Sequence, residues 1–365
     1  MAQDSSQVIL DQYRQNLKSY GLLGGKLERL IIELLDAKQI EVHSVTHRIK
    51  EESHLTRKLS QSTSGYDSLS DVTDICGLRI ITYFAEEVDA VAEIIKQEFE
   101  IDQENSIDKR QTLDPDQFGY LSVHYIVSIA ANRSVLPEYA GLKGLKAEIQ
   151  MRSILQHAWA EIEHDLGYKS QRAVPRDVVR QFSRLAGLLE IADDGFSALR
   201  RSIRVYEAEV DKKIEGDPTE LRIDAVSINA LIESDLVLRN ADALVASISG
   251  MIEVPSNPVV VGRIVGAVTF LGFKSVGELK EAIAQNASWL NAFVEDFWKN
   301  TTRLNRTGAP KGIGLYYFSI LRAVDHGGAS LLRAAFGFSD DALNDFVNNV
   351  LASYDRTKHF SQLMK

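Results

Sequence analysis

Two carboxylates and a group of cations are spaced so that together they can do phosphate chemistry. Asp74 opens the strand-like run DICGLRIITYF at 74–84, and Glu148 lies in a second such run, LKAEIQMRS, at 145–153. If those strands are neighbours, the two acids meet at one edge of a sheet and can hold Mg²⁺. That ion takes hard oxygen ligands and lets bound phosphates complete its shell. The stretch HSVTHRIKEESHLTRKLS at 43–60 places Arg48, Lys50, Arg57 and Lys58 in a chain whose formal net charge is -10. A phosphate cradle needs such cations, although a solvated helix face also gathers them. An ordinary salt bridge accounts equally well for either acid taken alone.

Strand alternation groups more polar side chains around Glu148. Glu148, Gln150 and Arg152 share one face of their strand, while Ala147, Ile149 and Met151 supply the apolar opposite face. The polar face either meets water or lines a cleft with a carboxylate, an amide and a guanidinium. In GYLSVHY, Tyr120 can offer a stacking ring and His124 a hydrogen-bonding imidazole. Arg79 follows Asp74 by five residues, so alternation puts the two on opposite faces unless the chain bends between them. His157, Glu161 and His164 follow on a helix at i, i+4 and i+7 and so share a face. They lack a partner set for zinc, and structural hydrogen bonding around the cleft is the plainer reading. His164-Asp165 likewise lacks the upstream ligands of a metal-dependent phosphohydrolase.

These residues must be positioned by a folded scaffold, and the 365-residue chain is long enough for two domains. Its 45% hydrophobic and 25% charged content is that of an ordinary globular protein. The acidic balance excludes broad, nonspecific DNA coating but not one basic cleft. Cys76 is the only cysteine, so there is neither an intrachain disulfide nor a cysteine-rich zinc site. It follows an apparent strand-helix boundary and is expected to be a buried, inert thiol. The start, MAQDSSQVILDQY, has no basic region or sustained apolar run, which argues against a signal peptide. VVVGRIVGAVTFLGF at 259–273 is interrupted by Arg263 and falls short of the roughly 20 apolar residues a membrane span needs. A cytoplasmic location is the expectation.

Apolar periodicity predicts helices at 22–38, 43–60, 86–99, 154–165 and 178–213, and strands at 74–84, 120–130 and 145–153. The polar segment 100–119 reads as turns. The interleaving predicts an α/β (α+β) domain with a mixed sheet flanked by helices. The expected organisation is an N-terminal helical segment at 1–42, a first domain at 43–215 and a mainly helical one at 216–365. The last has breaks near Pro255, Pro258 and RTGAPKGIG at 306–314, and no catalytic spacing, which suits a regulatory or assembly role.

Taken together, five ordered blocks resemble the synthetase domain of the RelA/SpoT family of guanosine alarmone synthetases. They are R-I-K at 48–50 with Lys58, D-I-C-G-L-R at 74–79, G-Y-L-S-V-H at 119–124, E-I-Q-M-R at 148–152 and H-A-W-A-E-I-E-H at 157–164. The resemblance covers about 40–170. It implies a nucleotidyltransferase-like fold and Mg²⁺-dependent transfer of pyrophosphate from ATP to the ribose 3'-hydroxyl of GDP or GTP, leaving AMP. By the same resemblance Arg48 and Arg79 would sandwich adenine, and Lys50 and Lys58 would meet the ATP phosphates. Asp74 would hold Mg²⁺, and Glu148 would assist the metal or accept the hydroxyl's proton. Tyr120 would stack on the acceptor base, with His124 and Gln150 orienting the acceptor. Arg152, His157 and Glu161 would support the pocket.

The sequence also departs from that family. In PDQFGY, Asp116 stands where nucleotide-making members commonly have lysine, and Phe118 where they have asparagine. His54 takes the place of a serine in the first basic block. An anion at position 116 would repel an acceptor's 5'-phosphates unless another cation compensates. A second reading is therefore a toxin-like enzyme that pyrophosphorylates the tRNA 3' end, restrained by a fused C-terminal region that answers a protein or ligand. A noncatalytic nucleotide sensor is the third, against which the pair Asp74 and Glu148 argues. Only about 40 residues precede the resemblance, too few for the hydrolase domain of long family members.

Overall fold

The computed structural model describes residues 2–61, 66–108, 122–169, 175–301, 308–338 and 343–362. Its residues cluster into two compact units, 1–201 and 202–365.

The first unit is built on a mixed five-stranded sheet of order β1-β2-β5-β4-β3. The strands are β1 (Val42–Ile49), β2 (Cys76–Thr82), β3 (Phe99–Asp108), β4 (Val123–Ile129) and β5 (Ala147–Ser153). β2 and β5 run parallel, and the other neighbouring pairs are antiparallel. Alternation sorts the faces. Leu78, Ile80, Ile149, Met151, Val123, Tyr125 and Val127 point into the core, while Arg79, Glu148, Gln150 and His124 occupy the other parity. On the core side lie α1 (Ala2–Ala37) and α3 (Ala85–Glu98). α1 buries Ile9, Tyr13, Tyr20, Leu23, Leu27, Ile31 and Leu35, one stripe at steps of three, four or seven. α2 (Glu52–Gln61) follows β1, α4 (Ile154–Lys169) follows β5, and α5 (Arg176–Glu215) is the long helix beyond.

Three expectations are corrected. Residues 43–60 are not one helix: β1 runs to Ile49 and α2 begins at Glu52. Val42, Val45 and Ile49 are β-branched and pack on the core, Val42 through the irregularity between Val42 and Ser44, while Thr46 faces outward; the charges and this irregularity obscured the strand signal. The polar segment after Phe99 is not all turn, because β3 extends to Asp108 at the opposite edge. Its outward residues can be polar, since one side of an edge strand meets water. Cys76 begins β2 rather than marking a strand-helix boundary; it is fully buried, and burial pushes its thiol up to about 12.

The second unit is mainly helical around Trp289, Phe293, Phe297, Phe318, Leu238 and Val245. Its helices include α6 (Ala225–Ser234), α7 (Leu236–Ser249), α8 (Pro258–Phe270), α9 (Val276–Gln285), α10 (Ala287–Asn300), α11 (Ile313–Phe336) and α12 (Asn344–Thr357). The apolar run at 259–273 falls largely in α8, which starts with Pro258 and is capped by Asn257. Among the described residues no helix is long and apolar enough to cross a membrane. The predicted breaks at Pro255 and RTGAPKGIG flank β6 (Ile252–Val254) and contain β7 (Gly308–Pro310), which pair in parallel.

α11 begins at Gly312, which has φ +89° and no side chain to cap the helix. Asp242 of α7 does so instead, accepting hydrogen bonds from Gly312 N at 2.7 Å and Gly314 N at 2.6 Å. Gly314 leaves room for this approach, since a Cβ there would lie 2.8 Å from that of Ala241. Burial raises the Asp242 carboxyl to about 6, against the pull of the two amides.

Replacing Asp242 with Ala would orphan both amides and should cost roughly 2–4 kcal/mol. Because the folded state holds the proton more tightly, this group's contribution is complete below about pH 4 and is lost as pH rises through 6. Thermal unfolding of the full chain should therefore show wild type losing roughly 2–3 kcal/mol relative to Asp242→Asn between pH 4 and 7. A pH-independent difference would contradict this assignment.

Candidate active site

β1 and β2 are paired so that Arg48 faces Gly77 and Thr46 faces Arg79. Across the parallel pair, Gly77 faces Glu148 and Arg79 faces Gln150; on β4, His124 also faces Gln150. Arg48, Arg79, Glu148, Gln150 and His124 therefore share the sheet face opposite the core. The ladder of β1 is extended by Lys50, whose amide donates to Ile75 O at 2.9 Å. Asp74 sits in the turn before β2, so the alternation that would separate it from Arg79 does not reach it.

That turn aims Asp74 at the basic segment. Lys50 Nζ lies 2.9 Å from Asp74 Oδ2, and Lys58 Nζ lies 2.9 Å from Oδ1. Burial pushes the Asp74 carboxyl up, but the two ammonium groups outweigh it and hold the carboxyl below its ordinary value. Glu148 is balanced in the same way. Burial raises it, whereas His124, with Nδ1 2.9 Å from Oε1, and Gln150, donating to Oε2 at 3.1 Å, bring it below its ordinary value. The charge on Asp74 opposes that fall, so the two carboxylates feel one another.

Beside Asp74 opens a cavity of about 540 Å³ lined by Arg48, Lys50, His54, Arg57, Lys58, Gln61, Tyr66 and His164. Four permanent cations in one cavity favour a polyanion. Arg48, Lys50 and Lys58 were expected together and are together. Sequence reasoning counted Arg57 among the cradle cations and His164 in structural hydrogen bonding around the cleft, but assigned no site role to His54, Gln61 or Tyr66. A signal for two of them existed: His54, Arg57, Lys58 and Gln61 fall at i, i+3, i+4 and i+7, one face of α2.

Other candidates gather around α4. Glu161 Oε1 lies 3.1 Å from Arg79 Nη1, 3.5 Å from Arg152 Nη2 and 3.8 Å from His157 Nδ1. Arg152 is nearly fully buried, and this carboxylate is one of its partners. Burial and the neighbouring Arg152 lower the His157 pKa, keeping its ring neutral at pH 7. Ser153 ends β5 and starts α4: Ser153 Oγ donates to Asp193 of α5 at 2.5 Å, and its amide donates to Gln156. Tyr120 lies outside the described residues, as do Asp116 and Phe118.

Among the described residues no three His, Cys, Asp or Glu side chains form a metal-binding group. Mg²⁺ needs only one or two carboxylates when phosphate and water supply its remaining oxygens. Asp74 and Glu148, both held ionised and electrostatically coupled, fit that requirement.

The family whose sequence model is described as a region found in RelA / SpoT proteins matches residues 47–173. The chain is 26% identical over 178 residues to the GTP pyrophosphokinase YjbM of Bacillus subtilis, covering 48% of this chain and 80% of that protein. It is 30% identical over 132 residues to the GTP pyrophosphokinase YwaC of the same organism, covering 36% and 60%. Among solved structures it is similar to the small alarmone synthetase 1 of Bacillus subtilis, at 23% identity and TM-score 0.45, covering 53% of this chain and 98% of that one. A GTP pyrophosphokinase family protein from Streptococcus pneumoniae matches at 26% identity and TM-score 0.45, covering 53% and 96%. The matched segment 47–173 holds every candidate side chain from Arg48 to Glu161, and over these residues the chain carries a RelA/SpoT-family domain.

Proposed function

We propose that the first unit transfers pyrophosphate from ATP to the ribose 3'-hydroxyl of GDP or GTP, giving a guanosine alarmone and AMP. The observation that carries this reading is the cationic cavity beside Asp74, next to a sheet face that presents Glu148, His124 and Gln150. The activity named for the two Bacillus subtilis relatives supports the guanosine acceptor.

In this reading Lys50, Arg57 and Lys58 bind the ATP phosphates and Arg48 packs on the adenine. Asp74 and Glu148 would hold Mg²⁺, which when bound would neutralise charge on the phosphate oxygens. The acceptor 3'-oxygen attacks the β-phosphorus. The bond from that phosphorus to the oxygen bridging α and β breaks, and AMP leaves with the bridging oxygen. Glu148, ionised at neutral pH, accepts the hydroxyl proton, while His124 and Gln150 fix the carboxylate and orient the acceptor. Cations facing the transferred group stabilise charge as it develops, and holding both nucleotides in line removes much of the entropic barrier. Tyr120 would stack on the acceptor base. We assign residues 216–365 a controlling role; support comes from the helical core of that region.

The test is full-length protein with β-labelled ATP and Mg²⁺, offered GDP, GTP, ATP and deacylated tRNA separately. Label on GDP or GTP is expected. Label confined to tRNA would overturn the acceptor assignment and favour the toxin-like reading to which Asp116 points. Glu148→Gln should cut transfer by roughly 100-fold or more while leaving ATP binding largely intact. Full activity in a folded variant would remove Glu148 from the proton step.

A further inference from the structure

Within the first unit, α5 carries two faces of different character. Ala186, Asp193, Ser197 and Arg200 recur at steps of seven, four and three and form the packed face. Ala186, Asp193 and Ser197 are buried. Asp193 accepts a hydrogen bond from the Ser153 hydroxyl at 2.5 Å, and the Arg200 guanidinium pairs with Glu87 and lies 4.4 Å from the centre of the Phe84 ring.

About 110° around the helix, at 100° per residue, lies an apolar face. Leu185, Leu188, Phe196 and Leu199 stand there, and each keeps between 51% and 62% of its surface exposed. Ala192 is at their centre. The charged residues of the same segment, Glu190, Asp193 and Asp194, fall on other faces of the helix. Single exposed apolar side chains are ordinary, but four in one row on one helix mark a contact surface.

The spacing indicates what that surface meets. Leu185, Leu188, Ala192, Phe196 and Leu199 follow at steps of three, four, four and three, which read the same from either end. Two such helices laid antiparallel about a two-fold axis at Ala192 bring Leu185 against Leu199 and Leu188 against Phe196, twice over. An isologous interface needs this self-complementarity. The smallest side chain meets its own copy at the axis, and a Cβ added at Gly195 would have nothing within 4 Å, so the helices have room to approach. A parallel pair would match any spacing and makes no use of the palindrome, and opposed helix dipoles favour the antiparallel pair as well. Two copies would remove on the order of 1,000 Å² from water, the low end for specific association. The pair should therefore exchange with monomer as concentration falls.

We infer that the exposed face of α5 is the interface of a two-fold dimer of this chain, its helices antiparallel and crossing at Ala192. The packed face of the same turns holds Ser153 at the end of β5, so the dimer would brace α5 against the strand that carries Glu148.

The experiment is sedimentation velocity of the full-length chain over a range of concentrations, which should show monomer and dimer in equilibrium. Leu188→Glu sets a carboxylate against the apolar row at an exposed position. It should weaken the dimer at least about tenfold and leave the circular dichroism unchanged. Under mild oxidation Ala192→Cys should form a disulfide-linked dimer, while the native Cys76 is buried and takes no part. Leu185→Cys should link to Leu199→Cys when the two variants are mixed, and neither should link to itself. A wild type that stays monomeric throughout, with the row covered by its own chain or kept for a different protein, would overturn the inference. So would a dimer indifferent to Leu188→Glu, or self-linking of Leu185→Cys, the mark of parallel helices.

Discussion

The site is organised around the Asp74 carboxylate and the two ammonium groups on its oxygens. Lys50 continues β1, Lys58 belongs to α2, and Asp74 sits in the turn that starts β2. One partly buried cluster therefore ties three consecutive elements together and fixes where the cavity opens. A carboxylate withdrawn from water needs partners, and cations drawn close to one another need an anion between them. Without Asp74, Lys50 and Lys58 would repel each other and the side chains of β1 and α2 would spread. The cost of burying one charge is thus offset by the two ammonium groups on its oxygens.

From that point the sheet does the rest by register. Parallel pairing of β2 with β5 sets Arg79 beside Gln150 and Gly77 beside Glu148, and antiparallel β4 brings His124 to the same row as Gln150. Three strands separated in sequence thereby deliver their polar side chains to one face. The other face buries the hydrophobic partners of the same alternation against α1 and α3. Opposite parity on a pleated strand makes core and site two consequences of one pattern.

Much of this was legible in the sequence, for identifiable reasons. Ala147, Ile149 and Met151 alternate cleanly with Glu148, Gln150 and Arg152, so β5 and its polar face could be read directly. β1 and β3 are edge strands with one wet side, and their polar residues hid them: the cations of 43–60 looked like a helix, and the acids after Phe99 looked like turns. The grouping of Arg48, Lys50 and Lys58 was readable from local spacing. That His164 joins them, or that Asp193 reaches Ser153, depends on tertiary packing over many tens of residues. No local period carries such information. In the second unit the glycines of RTGAPKGIG marked a break, but not that a buried carboxylate seventy residues earlier would cap the helix that follows.

In the proposed reading Asp74 would hold Mg²⁺ beside the donor cavity, which would require it to release Lys50 and Lys58. The most direct measurement is the affinity of full-length wild type and Asp74→Asn for ATP, with and without Mg²⁺. Wild type should bind ATP more tightly when Mg²⁺ is present. Asp74→Asn, with its carboxylate charge removed, should gain little ATP affinity from Mg²⁺. An equal Mg²⁺ enhancement in both proteins would contradict the account and leave Asp74 as a structural anchor alone.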